Sequence, residues 1–451
     1  MDPQARCERP TVDPQPIDRL IQPLQIFARH KLAGAVLLML AAVAAVVWAN
    51  SPYGHSYAQM LHVEGTVGIG SFALTKSLSH WINDGLMGIF FFLVGLEIKR
   101  EVIAGELSSL RKATLPAMAA VGGMVVPALF YALVNSGGPG SGGWGIPMAT
   151  DIAFALGVLA LLGDRVPIGL KVFLTALAIV DDIGAVLVIA VFYTDTIAAF
   201  SLVVGVVLLA AAIIANRAGL RSSLAYFFLG TFVWLAFVKS GVHATVAGIL
   251  MAFAIPARTR VGGSHFVTGM DTHLRRLRRV GVPPDQQLNS NEQQHVIDDM
   301  AMCIERGTAP LQRIEHALAP IVTFFVLPLF ALANAGVSVG GSLLEAVRQP
   351  VALGVIVGLF VGKPVGIFLF AWGAVKLHLA DLPSGVSWRP LFAVAMLGGI
   401  GFTMSLFVSG LAFPDPAMLD TAKVGVLTAS VLSGVCGLFF LWRTLRGQTA
   451  D

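Results

Sequence analysis

Residues 170–192 read LKVFLTALAIVDDIGAVLVIAVF, an apolar stretch with two adjacent aspartates, Asp181 and Asp182, at its centre. A run of about 20 apolar residues is long enough to cross a bilayer as a helix. Each aspartate lies about 12 residues, or about 18 Å, from either end of the run, so neither carboxylate can reach an interface. A charge at this depth costs at least about 2.5 kcal/mol on insertion scales, and the pair therefore predicts a functional site inside the membrane.

The two carboxylates need not share one environment, because adjacent positions on a helix point about 100° apart. One can face a water-filled cavity while its neighbour faces another helix. The alternative is that both are buried polar residues satisfied by hydrogen bonds, without an ion-binding role.

The composition of the whole chain also requires a membrane. A chain of 451 residues with 56% hydrophobic and 12% charged residues cannot form water-soluble domains without exposing large apolar surfaces. We therefore predict an all-α polytopic membrane protein. Twelve apolar segments, four of them short or interrupted, are candidate transmembrane helices: 31–50, 83–97, 113–134, 143–162, 168–193, 199–216, 223–238, 241–256, 318–335, 353–375, 390–412 and 421–442.

The distribution of basic residues predicts the topology. With a cytoplasmic N-terminus and twelve alternating helices, 25 of the 30 Lys and Arg residues fall on the cytoplasmic side. This positive-inside bias would disappear if a helix were missed or added mid-chain. Both termini are therefore predicted to be cytoplasmic. Because the topology accounts for the net charge of +4, that charge does not indicate a nucleic-acid partner.

The remaining segments complete the predicted organisation. Residues 1–30 and 446–451 are predicted cytoplasmic tails, and they flank transmembrane helices one to eight at 31–256 and nine to twelve at 311–445. The outside loop at about 53–80 alternates apolar and polar residues loosely, which fits a β-hairpin and an unstructured loop equally well. The polar composition of 257–310 favours a disordered or partly helical cytoplasmic insert, with a small regulatory module as the alternative.

Lys363 is the natural opposite charge for the aspartates. It lies near the middle of its apolar segment and is too deep to reach the interface, so it needs a carboxylate partner or a neutral state. Pro364 directly after it removes a backbone donor and predicts a kink or a loosened helical turn. The alternative is a lysine satisfied by backbone carbonyls in a crevice open to the cytoplasm.

Asp151 is a third buried acid, and it follows a helix-breaking sequence. Gly145 and Pro147 precede Thr150 and Asp151, which predicts that this polar pair begins a half-helix and caps it. A plain cap at the membrane surface is the alternative. A matching interruption, GGIGFT at 398–403, occurs near the other end of the chain. Interrupted segments in corresponding halves of a chain indicate inverted repeats with a binding site near the midplane.

Several strings of the sequence resemble the NhaA-type sodium/proton antiporters of bacteria, in order from about residue 30 to 445. These antiporters are themselves a standard example of inverted-repeat transporters, so the two interruptions do not predict the repeat independently of the resemblance. The strings are INDGLMGIFFFLVGLEIKRE at 82–101, ATDIAFALGVLALLG at 149–163, LAIVDDIGA at 177–185, KSGVHATVAG at 239–248, PLFALANAGV at 328–337, GKPVGI at 362–367 and GGIGFTMSL at 398–406.

The resemblance implies twelve helices in inverted repeats, two of them broken and crossing near the midplane. It implies that Asp182 is the principal carboxylate for sodium and protons, with Asp181 beside it. Thr150 and Asp151 would lie at the crossing, where Asp151 compensates the half-helix termini, and both would help to form the ion- and proton-binding site. Lys363 would pair with Asp181 in the proton-loaded state.

The resemblance also implies an electrogenic, pH-regulated antiporter of the bacterial cytoplasmic (inner) membrane, not an enzyme, that exports sodium and lithium in exchange for protons. It implies contact with membrane lipid, no cofactor, and a homodimer formed through the outside hairpin. Gln312 and Ala319 depart from the family, which tends to place ionisable residues there. The residues that match its pH-sensing positions are Glu97, Arg100, Glu101, His243, Glu315 and His316.

The same residues give a physical mechanism and argue against other classes. Burial disfavours the charged form of a carboxylate, so one site can hold either a proton or a dehydrated sodium ion. Sodium is a hard cation that suits the carboxylate oxygens of Asp182 and Asp181, and the Thr150 hydroxyl is a candidate further ligand.

An intramembrane aspartyl protease also uses two aspartates, but its Gly-x-Gly-Asp signature is missing from this sequence and Lys363 would have no role in it. A prenyltransferase would need an Asp-x-x-x-Asp magnesium site, and no such pattern accompanies Asp181 and Asp182. A cation channel could use rings of acidic residues, but such rings would not explain Lys363.

Overall fold

A computed structural model of the chain describes residues 32–69, 72–194, 197–259, 261–281, 290–337, 343–383 and 385–446. These residues are almost all helical, as the composition predicted. The predicted N-terminal tail, and nearly all of the predicted C-terminal tail, lie outside the described residues. The helices of the first half are α1 (Ala33–Ala49), α2 (Gly54–His62), α3 (Met87–Ala104), α4 (Leu110–Val134), α5 (Ile152–Ala160), α6 (Ile168–Phe192), α7 (Ala199–Arg217), α8 (Ser223–Ser240) and α9 (Ala244–Ala254).

The second half begins with two helices in the polar segment that was predicted as an insert. These are α10 (Gly263–Val280) and α11 (Asn291–Gly307), which pack against each other. The prediction that this segment is a separate cytoplasmic unit stays a prediction. The helices that follow are α12 (Pro310–Asn334), the short α13 (Leu343–Arg348), α14 (Pro350–Lys376), α15 (Trp388–Gly398), α16 (Phe402–Ala412) and α17 (Pro416–Arg446).

Seven of the described helices are long and apolar enough to cross a membrane, and three bent pairs raise that number to ten if each pair is one span. The remaining apolar helix, α9, is shorter. Helix α3 covers the second predicted segment, 83–97, from Met87 onward, and its last two turns contain Glu97, Lys99, Arg100 and Glu101. The structure thus confirms a helical membrane protein, while the count of twelve spans stays a prediction.

The segment between α2 and α3 contains a two-stranded antiparallel hairpin. Strand β1 (Glu64–Ile69) pairs with β2 (Phe72–Ser77), in a register that places Glu64 opposite Ser77. The Thr66 and Thr75 hydroxyls, which face each other across the strands, form a hydrogen bond of 2.8 Å. A single helical turn and a π-helical turn, Trp81–Leu86, then lead into α3.

The predicted loosened turn before Pro364 is present. Residues Val357–Gly362 of α14 form a π-helix, and Lys363 begins the α-helical part that follows. Proline lacks the N–H for an α-helical bond, and its ring clashes with the carbonyl four residues earlier. A wider π turn removes this conflict. The same pattern recurs in α12, where the π-helix Val322–Val326 precedes Pro328.

Close packing of α4 against α14 holds Lys363 in place. Gly122 and Gly366 meet so closely that a methyl group on either one would overlap the carbonyl oxygen of the other. Small residues allow helix backbones to approach in this way. Lys363 is less than one turn from Gly366, and its aliphatic stem lies near Gly123 of α4. The position of the buried ammonium group is therefore fixed by backbone contact.

Candidate ion-binding site

Two helix breaks contact each other inside the protein. Residues 149–151 separate a 3-10 helix, Pro139–Met148, from α5 with a bend of 46°, and residues 399–401 separate α15 from α16 with a bend of 43°. The Asp151 N–H donates to the Ile400 carbonyl at 2.7 Å. The Thr150 hydroxyl donates to the Gly398 carbonyl at 2.9 Å. Both predicted interruptions are therefore real breaks, and hydrogen bonds join them.

The Asp151 carboxylate caps two half-helices at once. Its Oδ1 accepts a hydrogen bond of 2.9 Å from the Phe154 N–H, which makes Asp151 the N-cap of α5. Its Oδ2 accepts from the N–H and the hydroxyl of Thr403, at 3.0 and 2.5 Å, at the start of α16. The unsatisfied N–H groups of a helix start carry partial positive charge. One buried carboxylate therefore compensates both helix starts, which a cap at the membrane surface would not do.

Asp181 and Lys363 form a buried ion pair. The Lys363 Nζ lies 2.7 Å from Asp181 Oδ2, and each side chain is 1% exposed. The Lys363 Nζ also donates to the Met148 carbonyl at the end of the first half-helix. The negative end of that half-helix thus faces the ammonium group, while Asp151 faces the positive ends. A lysine satisfied by carbonyls alone, the alternative considered above, does not describe this arrangement.

Asp182 differs from its neighbour because it forms no ion pair with any residue that the structure describes. It is 2% exposed, and its buried Oδ1 accepts no hydrogen bond from the described residues. The charged groups that act on it electrostatically include Asp181, Glu97 and Asp151, with Lys363 as the opposing cation. The buried Asp181 Oδ1 likewise has no hydrogen-bond partner in the described part of the chain. The site therefore offers free carboxylate oxygens in an acidic surrounding, which suits a proton or a hard cation.

The described residues contain no group of three or more His, Cys, Asp or Glu side chains arranged to hold a metal ion. A sodium ion at Asp182 and Asp181 would therefore complete its oxygen ligands from hydroxyl groups, backbone carbonyls or water. Thr150 lies beside Asp181 and can supply one such oxygen.

Four of the predicted pH-sensing residues form one cluster at the charged end of α3. Arg100 forms ion pairs with Glu315 of α12 and with Glu101, the latter at 3.2 Å. Glu97 is close enough to interact electrostatically with all three. It also acts on Asp182, so the cluster and the buried site are electrostatically connected. Glu315 is buried, and none of the residues that the structure describes donates a hydrogen bond to its Oε2.

The two predicted histidines lie apart from this cluster. His316 is exposed, and its Nδ1 is 3.0 Å from the Gln312 carbonyl. His243 is the N-cap residue directly before α9, and its Nε2 is 2.6 Å from the carbonyl of Tyr193, which follows the C-terminal end of α6. The structure thus brings the Glu and Arg residues together and leaves both histidines outside.

The sequence analysis assigned no role to three residues that support the breaks. Thr403 donates to Asp151, the Ser405 hydroxyl donates to the Ile146 carbonyl at 2.8 Å, and the Ser430 hydroxyl accepts from the Phe402 N–H at 3.1 Å. All three are hydroxyl side chains in or facing an apolar segment that contains a glycine break. A buried hydroxyl needs a partner, but the sequence does not show which of its many hydroxyl residues are buried at a break.

Fold and site together define a polytopic helical membrane protein with buried ionisable groups at two joined helix breaks, an arrangement found in secondary transporters. The family model described as Na+/H+ antiporter 1 matches residues 25–441. The chain belongs to this family, as the sequence strings indicated.

Individual relatives support the same assignment. The chain is similar to the "Na(+)/H(+) antiporter NhaA" of Koribacter versatilis (strain Ellin345), with 51% identity over 436 residues that cover 97% of this chain and 94% of that protein. It is also similar to the "Na(+)/H(+) antiporter NhaA" of Oleidesulfovibrio alaskensis (strain ATCC BAA-1058 / DSM 17464 / G20). That match has 47% identity over 442 residues, which cover 98% of each chain. The relatives are bacterial, and the match spans the multi-pass membrane portion of the chain.

Proposed function

We propose that this protein exports sodium, and lithium, from the bacterial cytoplasm in exchange for protons across the inner membrane. The exchange is electrogenic and pH-regulated, and it proceeds by alternating access at the buried aspartates. We further propose twelve membrane spans in inverted repeats, cytoplasmic termini and a homodimer formed through the β-hairpin. Family membership and the names of the relatives support the sodium/proton exchange.

The observation that carries the proposal is the unequal pairing of the adjacent aspartates. Each carboxylate has one buried oxygen without a hydrogen-bond partner among the described residues, but only Asp181 forms an ion pair there, with Lys363. A buried, unpaired carboxylate is relieved either by a proton or by a sodium ion, and one binding excludes the other. If the site changes sides only when it is loaded, this competition alone produces exchange.

The ion pair supplies the second titrating group that electrogenic exchange requires. When sodium binds at Asp182, Asp181 can leave Lys363 and become a second ligand. Lys363 then loses its counter-ion and releases a proton, because an unpaired buried ammonium group is disfavoured. Each elementary charge moved is worth about 2.3 kcal/mol per 100 mV, so two protons per sodium ion would let the membrane potential drive sodium out.

Regulation by pH is assigned to the cluster of Glu97, Arg100, Glu101 and Glu315. Protonation of Glu97 would change the electrostatic field at Asp182. Protonation of Glu315 would weaken its ion pair with Arg100, which links α3 to α12. His243 and His316 have separate surroundings, so their contributions would be independent of the cluster.

Sodium-induced collapse of a proton gradient in everted vesicles, scanned over pH, tests the proposal. The parent and the variants Asp182→Asn, Asp181→Asn and Lys363→Ala are compared, with Asp381→Asn as the matched control because that aspartate is exposed. We expect Asp182→Asn to abolish exchange at every pH and Asp381→Asn to leave it unchanged. Exchange by Asp182→Asn at the parental rate would overturn the proposed site.

A further inference from the structure

The hairpin of α10 and α11 has an uneven distribution of charge. The arginines of α10 are Arg275, Arg276, Arg278 and Arg279, whereas the carboxylates of α11 are Glu292, Asp298, Asp299 and Glu305. The two helices pack through the half-buried side of α10, where Phe266 lies against Gly307. The acidic helix therefore covers one side of α10, and no other described part of the chain covers the exposed side.

The free side of α10 combines basic and apolar residues. Val267 and Leu274 are 65% and 39% exposed and lie seven residues apart, so they share one face. Arg278 continues that face at a spacing of four residues. Arg275 and Arg279 both lie further round on one side of it, and the exposed Asp271 lies between them and Val267. Arg276 points back to α11, where it pairs with Asp299 at 3.3 Å.

The arginines of this face are available for a ligand. Arg275 pairs with Asp271 at 2.7 Å, but both side chains are more than half exposed, and such pairs contribute little. Within the described parts of the chain, Arg278 and Arg279 make no ion pair. We call the surface formed by Val267, Leu274, Arg275, Arg278 and Arg279 the basic face.

Short connections keep the basic face near the end of the helical bundle. Eight residues, 255–262, separate α9 from α10, and α11 is followed almost at once by α12. Glu305 of α11 pairs with Arg313 of α12 at 2.5 Å, and Arg313 also donates to the Arg221 carbonyl at 3.0 Å. This is the end of the bundle at which α3 meets α12, so the hairpin is tethered where the bilayer surface must lie.

We propose that the basic face binds the anionic phospholipid headgroups of the adjacent membrane leaflet. Arginine forms paired hydrogen bonds to phosphate oxygens. Exposed apolar residues beside arginines are typical of helices that lie in a membrane interface. They favour a bilayer over an acidic protein, because a bilayer offers both headgroup phosphate and hydrocarbon. The inference does not depend on the ion exchanged by the buried site.

The expected strength follows from surface electrostatics. Each arginine at an anionic surface strengthens binding by about fivefold, so the three arginines together contribute on the order of 100-fold. Binding should weaken as salt rises, since the Debye length falls from about 10 Å at 0.1 M to about 3 Å at 1 M.

The test uses the full-length protein with its native Cys7, Cys303 and Cys436 replaced by serine. A fluorescent label is attached to a single cysteine, introduced as Thr268→Cys at an exposed position beside the basic face. The protein is reconstituted into phosphatidylcholine vesicles with or without phosphatidylglycerol, and quenching by a headgroup-proximal spin-labelled lipid is measured. A label at Ala301→Cys on α11 is the control position, since Ala301 is exposed on the acidic helix. We expect Thr268→Cys to be quenched only in the anionic vesicles and Ala301→Cys to be quenched in neither.

Charge removal completes the test. The triple variant Arg275→Gln, Arg278→Gln, Arg279→Gln should lose the quenching, and so should the parent in 1 M salt, whereas Arg306→Gln on α11 should keep it. Sodium-induced proton exchange by the triple variant verifies that it is folded. Equal quenching in neutral and anionic vesicles, or quenching retained by the triple variant, would overturn the proposal. The proposal would also be overturned if the label at Thr268→Cys were not quenched by lipid in either vesicle type and its fluorescence changed only on addition of an acidic polypeptide. The basic face would then bind protein and not the bilayer.

Discussion

Replacement of Lys363 by methionine should destabilise the protein by leaving Asp181 as an unpaired buried charge. Methionine keeps most of the aliphatic stem and removes only the ammonium group, so packing against α4 is preserved. Both partners of the ion pair are 1% exposed. Removing one partner of such a pair costs about 3–5 kcal/mol, and the Met148 carbonyl also loses its donor.

A double-mutant cycle separates this charge effect from a general loss of packing. Adding Asp181→Asn to Lys363→Met removes the remaining charge, so the double variant should be about 2–3 kcal/mol more stable than additivity predicts. Lys376→Met is the matched control in the same helix. Its ammonium group is exposed over the Trp372 ring at 4.6 Å, and its loss should cost about 1 kcal/mol or less.

Equilibrium unfolding of the purified variants in mixed micelles measures these free energies. Strict additivity of the two substitutions would refute the reasoning. A loss for Lys363→Met no larger than that for Lys376→Met would also refute it, because the ion pair would then not stabilise the fold.

Three further predictions follow from other contacts. Thr403→Val removes the hydroxyl that donates to Asp151 at 2.5 Å and should lower the free energy of unfolding by about 1.5–3 kcal/mol. Thr403→Ser keeps a hydroxyl and should retain most of this stability. Equal losses for the two variants, measured by unfolding in micelles, would contradict the capping role. Arg100→Gln breaks both ion pairs of the cluster at the charged end of α3 and should shift the pH profile of vesicle exchange, while His316→Gln, at an exposed side chain, should not. The reverse result would place pH sensing at the histidine. Deletion of residues 262–308 should leave exchange intact and at most move its pH profile, so complete loss of transport in a correctly inserted protein would argue against an accessory hairpin.

Local sequence predicted the features that depend on single buried charges and on helix-breaking residues. Asp181, Asp182 and Lys363 were candidates because charge is costly in an apolar helix. The breaks after Pro147 and at Gly399, and the π turn before Pro364, follow from the backbone limits of proline and glycine. These properties belong to short segments and can be identified without knowledge of the fold.

Contacts between distant segments could not be predicted in the same way. Thr403 reaches Asp151 across 252 residues of sequence, and hydroxyl residues are too common for such a pair to be recognised by pattern. The acceptors at Met148 and Ile400 are backbone carbonyls, which every residue has, so the sequence contains no signal for them. The separation of His316 from Glu315 also depends on side-chain direction rather than on position in the chain.

The central claim is that sodium and protons compete for Asp182. Proton release on sodium addition to the purified protein, measured in weakly buffered detergent solution, tests this directly because it needs no vesicle or gradient. The parent should release protons as sodium binds, and Asp381→Asn should match it. Asp182→Asn should release none at any sodium concentration. Proton release by Asp182→Asn equal to that of the parent would contradict the account.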